Sequence, residues 1–515
     1  MNKARILVVA SIVLFALLAL LLYLHSTRTI KTATGGAMNS EGTTLVVYCA
    51  AGVKPPMVDA AKKYEEKYGV RIQYQFGPTG TLLTNLQVAK TGDLYLAADV
   101  SYQEIAREKG LVHEIIPLAQ MKPVIAVRKG NPKVITSLRD LLKPDVRLAL
   151  GDEMASIGKQ TRKLLAKAGI WKEVKAHVEA SGVFKTTVNE VANDLKIGAV
   201  DATIVWDATV NLYPDLEALD LPELGSVDKD VSIGVLAFCK QPTHALRFAR
   251  YLNSTETNAI FRKHGYRSVE GDVWAERPEL VLFSGGVNRR AIEETVKAFG
   301  EREGVTVNAV FNGCGFLTAQ MRTIRQEQAG VGFPDVYMAC DRYYLDTVAD
   351  WFQEEVDVSE TQIMIAVQKN NPQKIKSLKD LAKPGMRVAV GQPQQCTIGV
   401  LSRKMLEKAG ILEEVMKNVQ AQTPSSAMLI STVTTNHVDA CLAYRTDTLA
   451  EASKIDVVEV ESEYAVRAIQ PIAISKASVK KHLSRRLMNA ILAAREKFEA
   501  AGFEYRLGRK EEQDK

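Results

Sequence analysis

One long stretch of this chain occurs twice. IAVRKGNPKVITSLRDLLKP (Ile125–Pro144) returns as IAVQKNNPQKIKSLKDLAKP (Ile365–Pro384), displaced by 240 residues. IGKQTRKLLAKAGI (Ile157–Ile170) returns as IGVLSRKMLEKAGI (Ile398–Ile411), displaced by 241. Tyr68-Gly69-Val70 aligns with Glu303-Gly304-Val305, and Phe76-Gly77-Pro78-Thr79-Gly80 with Phe311-Asn312-Gly313-Cys314-Gly315, both at 235. Val200-Asp201-Ala202 matches Val438-Asp439-Ala440 at 238. The matches keep their order, and the drift of a few residues fits small loop changes. Solenoid repeats have periods of about 20–50 residues. A period near 240 is a duplicated domain instead. That agrees with a chain of 515 residues, too long for one core and suited to about two to four domains.

Each copy alternates strand and helix signals. In copy one, Leu45–Cys49, Val70–Phe76, Asp93–Ala97, Val124–Val127, Val146–Leu150 and Ala202–Trp206 read as strands. Val58–Tyr68, Thr81–Ala89, Tyr102–Lys109 and Gly158–Ala168 read as helices, two of them stopped by Gly69 and Gly169. The order predicts an α/β fold with parallel sheets and helices on both faces. Ligands of such sheets sit at the carboxyl ends of the strands.

The first residues are of another kind. Ile6–Leu24 is apolar on every face, with Ser11 and Tyr23 as its polar interruptions, and Lys3 and Arg5 precede it. The run exceeds the roughly 7–15 residues of a cleavable signal core and reaches the length of about 18 that spans a bilayer. The expectation is a signal anchor over 6–25, a cytoplasmic segment 1–5 and a linker 26–43, with a cleaved signal as the alternative. The charge of the whole chain, 66 basic against 60 acidic residues, forms no basic stripe interleaved with aromatics, so nucleic acid is not expected as a partner. No P-loop, HExxH, G-x-S-x-G or Cys-x-x-Cys is present, and the seven histidines show no ligand spacing; no enzyme and no cofactor are expected.

The strand-to-helix loops carry the candidate site. In copy one these are Ala51 and Gly52; Thr79, Gly80 and Thr81; Ser156 and Ile157; and Trp206. In copy two they are Ser284, Gly285 and Gly286; Cys314 and Gly315; Thr397 and Ile398; and Tyr444 and Arg445. Small residues let backbone N–H groups approach a ligand. Helix N-termini supply aimed donors and partial positive charge. Any one such loop is an ordinary turn and N-cap; four of them converging in each copy point to an anion site. Arg445 either pairs with an anion or is solvated. Copy two also places Cys314, Cys340 and Cys396 at strand ends, where copy one has Thr79, Ala98 and Ala155. These three either include a disulfide, line the cleft as small apolar groups, or form a soft site for a thiophilic metal or metalloid.

The motifs VVYCAAGV, YQFGPTGTLLTNL and LALGDEMASIGKQTRKLLAKAG, with LVLFSGGV, FNGCGFLTAQM and VDACLAYRTDT in copy two, resemble the periplasmic molybdate-binding protein family of ABC importers. The likeness covers residues 44–270 and 278–507. It implies two tandem bilobal domains of the type II periplasmic-binding-protein fold. It further implies a small tetrahedral oxyanion as ligand, molybdate or tungstate, and an ABC permease as partner. The expected place is the periplasmic side of the inner membrane, reached through the N-terminal anchor. The family grips its oxyanion with serines after the first two strands, amides at the mid-chain helix start and a late tyrosine. Here the first-loop serine is replaced by Ala51-Gly52 and Gly286-Val287, with Ser284 slightly earlier. The second-loop hydroxyls are Thr79 and Thr81 in copy one but Cys314 and Phe316 in copy two; the late tyrosine is Tyr444 in copy two but Trp206 in copy one. A thiol-based metal or redox module in copy two, with copy one as anion site or scaffold, is the second reading.

Overall fold

The computed structural model describes residues 29–31, 42–224, 228–326 and 332–507. They divide into two compact units, one within Gly35–Glu276 and the other within Arg277–Lys515 together with the strand Thr29–Lys31. The expected anchor at 6–25 lies outside the described residues. Among the described residues no helix is long and apolar enough to cross a membrane.

In copy one, β1 (Thr44–Ala50), α1 (Lys54–Tyr68), β2 (Arg71–Gly77), α2 (Thr79–Ala89) and β3 (Leu94–Ala97) build one lobe. The chain then runs through β4 (Val112–Met121) and, past Lys122, directly into β5 (Pro123–Arg128) of a second sheet. There β6 (Leu148–Gly151), α3 (Ser156–Lys167), β7 (Val183–Lys185), α4 (Val188–Lys196), β8 (Ala202–Trp206) and β9 (Leu216–Leu219) follow, before β10 (Lys229–Leu236) returns to the first sheet. The strand orders are 267–268, β4, β10, β3, β1, β2 in one sheet and β9, β5, β8, β6, β7 in the other.

The sheets are mixed, which corrects the expectation of parallel ones. β1 pairs parallel with β2 and β3, and β6 parallel with β7 and β8. β10 is antiparallel to β3 and β4, and β5 antiparallel to β8 and β9. The cause is the double crossing between lobes. A strand that enters a sheet from the other lobe arrives at the end where the parallel strands finish, so it must run against them.

Copy two repeats the plan with β11 (Glu279–Gly285), α5 (Arg289–Glu303), β12 (Thr306–Asn312), α6 (Cys314–Gln326) and β13 (Val336–Met338). Its crossing strand does not break: β14 (Phe352–Gln368) runs 17 residues through both lobes, so the two sheets are one. Beyond it lie β15 (Val388–Gly391), α7 (Thr397–Lys408), β16 (Val419–Thr423), β17 (Ala440–Tyr444), β18 (Ile455–Val458) and β19 (Arg467–Ser475). Thr29–Lys31, inside the segment read as linker, pairs antiparallel with β12.

The repeated residues fix local geometry twice. α1 and α5 end at Gly69 and Gly304, both left-handed with φ +68° and +64°, a region L side chains rarely adopt. In the SLRD and SLKD segments the carboxylates of Asp140 and Asp380 accept from the amides of Ser137 and Ser377 at 2.9 and 3.0 Å. Helices start earlier than the apolar pattern predicts, at Lys54, Thr79 and Ser156. Their first turns are mostly small, polar or proline residues that carry no periodicity.

Asp201 and Asp439 join the middle strands of the second lobes. Asp201 accepts from the amide, Nε and Nη2 of Arg147 at 3.0, 3.0 and 3.2 Å. Asp439 accepts from the same atoms of Arg387 at 3.0, 3.2 and 2.6 Å. Burial alone would raise the Asp201 carboxyl, but the Arg147 hydrogen bonds and charge outweigh it and hold the group below its ordinary 3.8. Its stabilisation is therefore present above that ordinary value and lost as pH falls below it through the depressed folded value. Asp201→Asn and Asp439→Asn should each cost about 1.5–3 kcal/mol, the range for hydrogen bonds to charged groups. Urea unfolding at neutral pH checks this; an unchanged midpoint in both variants would refute the role.

Candidate functional site

In copy one the carboxyl ends of strands from both sheets face each other across a small cleft. Of the residues singled out from sequence, Ala51, Gly52, Thr79, Ser156, Ile157 and Trp206 line it. None of its lining side chains is charged. The helices that point into it, α2 and α3, begin after Pro78 and Ala155, and neither has a side-chain cap. Asp99 caps Val100–Glu108 and Ser254 caps Thr255–Lys263, while Lys54–Tyr68, Trp171–Ser181 and Pro242–Leu252 also have no side-chain cap. The first N–H groups of α2 and α3 thus lack the side-chain acceptor that helix starts ordinarily recruit.

Gly80 and Thr81 do not line the cleft. The Gly80 amide donates across it to the Met154 carbonyl at 2.9 Å, and a Cβ on Gly80 would sit 2.9 Å from that oxygen. Copy two has the same bond: Gly315 donates to the Gln395 carbonyl at 3.1 Å. These glycines close the lobes on each other instead of holding a ligand. Sequence reasoning missed Thr186, Thr187 and Val188, which line the cleft from the turn before α4. The signal was a capping box, Thr187-x-x-Glu190, in which the Glu190 carboxylate accepts from the Thr187 amide at 2.8 Å.

The corresponding cleft in copy two is the roomier of the two. Gly286, Thr397, Ile398 and Tyr444 line it as expected, as does Asn312 of the second loop, with Arg289, Ser425 and Ser426 as walls not foreseen. Tyr444 and Thr397 are each 1% exposed, and their hydroxyls have no hydrogen-bond partner. Burial, with Asp341 and Cys396 nearby, pushes the Tyr444 hydroxyl well above its ordinary value, so it is a neutral donor. Beneath the wall the Asp447 carboxyl is pushed up to about 6 by burial, against a hydrogen bond from Ser426 and the charge of Arg290.

Three further expected residues are turned away from this cleft. Ser284 is fully buried and its hydroxyl donates to the Gly285 carbonyl at 3.4 Å. Gly285 lies against Cys340 Sγ, where a side chain would clash. Arg445 is exposed at the start of the short helix Arg445–Ala450 and does not reach the wall.

The soft metal site is corrected. Cys314 and Cys340 form a disulfide, and the Cys340 amide also donates to Cys314 Sγ at 3.0 Å. Cys340 and Cys396 line the cleft; Cys314 does not. Burial pushes the remaining thiol, Cys396, up to about 11, so it is protonated at neutral pH. Among the described residues no group of three His, Cys, Asp or Glu is placed to hold a metal ion.

A family model described as bacterial extracellular solute-binding protein matches the chain twice, over residues 45–267 and 280–504. The chain belongs to that family. A putative binding protein of Haemophilus influenzae is 28% identical over 224 residues, covering 43% of this chain and 90% of its own length. The molybdate-binding protein ModA of Mycobacterium bovis is 26% identical over 225 residues, covering 43% and 84%. Both relatives are thus about one copy long. Among solved structures, the periplasmic molybdate-binding protein of Azotobacter vinelandii aligns with 43% of this chain and 98% of its own, at 14% identity and TM-score 0.38.

This extracellular solute-binding protein should show four free thiols of six when denatured without reductant, from Cys49, Cys239, Cys396 and Cys441. Thiol titration in guanidinium before and after reduction checks it. Six thiols before reduction would remove the disulfide.

Proposed function

We propose that this solute-binding protein captures a small tetrahedral oxyanion, molybdate or tungstate, in the cleft of copy one and delivers it to an ABC-type permease. It does no chemistry on its ligand. It works on the periplasmic side of a bacterial inner membrane, held there by the apolar segment 6–25. The observation that carries the reading is the donor set of copy one. Two helix N-termini without side-chain caps, Thr79, Ser156 and Trp206 face one small cleft that has no charged side chain. Neutral, aimed donors suit an anion whose charge is spread over several oxygens. Trp206 donates only through its ring N–H and accepts nothing, so it favours an oxygen that carries no proton. The molybdate-binding relatives support the same ligand class.

Calorimetric titration of the purified chain with molybdate, tungstate, sulfate and phosphate tests this. Saturable binding of molybdate or tungstate is expected, with Thr79→Ala and Ser156→Ala each weakening it about 10-fold or more, since a hydrogen bond to a charged group contributes about 1.5–3 kcal/mol. Absence of binding by all four anions would sink the reading.

A further inference from the structure

The two clefts share one frame and differ in their lining. Both lobes meet through the same backbone bond, Gly80 to Met154 at 2.9 Å and Gly315 to Gln395 at 3.1 Å. Yet the cleft of copy two is the roomier, about 120 Å3 against about 20 Å3 in copy one. The cause is local. In copy one Val188 Cγ1 lies 2.9 Å from where a Cβ on Gly52 would stand, and Asn189 Nδ2 donates to the Ala51 carbonyl at 3.0 Å. The matching residues of copy two are Ser426 and Ala427. Ala427 has no amide, so it does not repeat the Asn189 bond to the first loop.

Chemistry decides the ligand class. The unpartnered, buried hydroxyls of Tyr444 and Thr397 are donors that lack an acceptor, an arrangement that costs about 1–3 kcal/mol each unless a ligand supplies one. On the wall stands Arg289. Its Nε and Nη2 face Glu293 at 2.9 and 3.1 Å, and its guanidinium lies 5.5 Å from the centre of the Phe311 ring. No charged residue lines copy one. Ser426 is turned toward Asp447, so it opens space and does not add a donor.

We propose that the cleft of copy two takes a small organic anion with acidic groups at two ends. One end is held by Tyr444, Thr397 and the start of α7, and the other by Arg289, with the carbon part against Phe311 and Ile398. The proposal rests on the solute-binding reading but not on molybdate as the ligand of copy one.

The test is calorimetry on the full chain with phosphoglycolate, sulfoacetate and succinate, each alone and after saturation with molybdate. The expected result is one equivalent of at least one of these anions, bound equally well with molybdate present; which one binds separates phosphate, sulfonate and carboxylate recognition. The double variant Ser426→Val with Ala427→Asn carries the residues copy one has at those positions. It should weaken organic-anion binding at least 10-fold and leave the molybdate isotherm unchanged. Arg289→Gln should do the same without altering the cleft wall near Ser426. Binding of none of the three anions overturns the proposal whatever molybdate does, as does an organic-anion isotherm that neither variant moves. Organic-anion binding without molybdate binding upholds this proposal and removes molybdate from copy one.

Discussion

In each copy one backbone hydrogen bond sets where everything else can be. Gly80 donates to Met154 and Gly315 to Gln395, joining the start of a first-lobe helix to the loop that precedes a second-lobe helix. Two helix N-termini from two different lobes are thereby held facing the same small space, and their partial positive charges add there. A side chain at either glycine would meet a carbonyl of the opposite loop, 2.9 Å away at Gly80 and 2.5 Å away at Gly315. The cleft and its position at the strand ends follow from that approach.

The duplication made much of this legible. Because the copies align at known offsets, a loop recognised in one marks its counterpart in the other. Strand ends were placed well because buried strands read as short apolar runs. What stayed hidden is what apolar pattern does not encode. Ser284 sits at a strand end beside the cleft, yet it is fully buried and bonded to its own neighbour, and facing is not visible one residue at a time. Strand direction was misread because a β-α alternation does not reveal that the chain crosses between lobes through Lys122 or along β14. The walls at Thr186–Val188 and Ser425–Ala427 were missed because they follow short strands, β7 and β16, with few buried positions.

The cysteines show how one substitution reassigns a whole loop. Copy one keeps Thr79 in the second loop, with a hydroxyl able to donate toward a ligand. Copy two has Cys314 there, and its sulfur is bonded to Cys340. A disulfide has no proton to offer, so this loop loses its hydroxyl donor and gains a covalent tie to the next strand end. The polar work in copy two moves to the other lobe, to Thr397 and Tyr444, whose hydroxyls are buried and unpartnered.

This division lets two copies keep one fold while their clefts differ. The residues that hold the frame recur in kind: Gly69 and Gly304 end the first helices, Asp140 and Asp380 cap their turns, and Asp201 and Asp439 bind the same three donor atoms of an arginine. The residues that differ, Val188 against Ser426, Asn189 against Ala427 and Trp206 against Tyr444, stand at the cleft or clasp over it. Exchanging them changes volume and donors at the surface of a cavity without disturbing a strand pairing or a helix end. Core substitutions of similar size would cost several kcal/mol through voids or overpacking. Side chains that line a cavity have open space on one side, so this is the part of a duplicated binding protein that can diverge while the frame stays fixed.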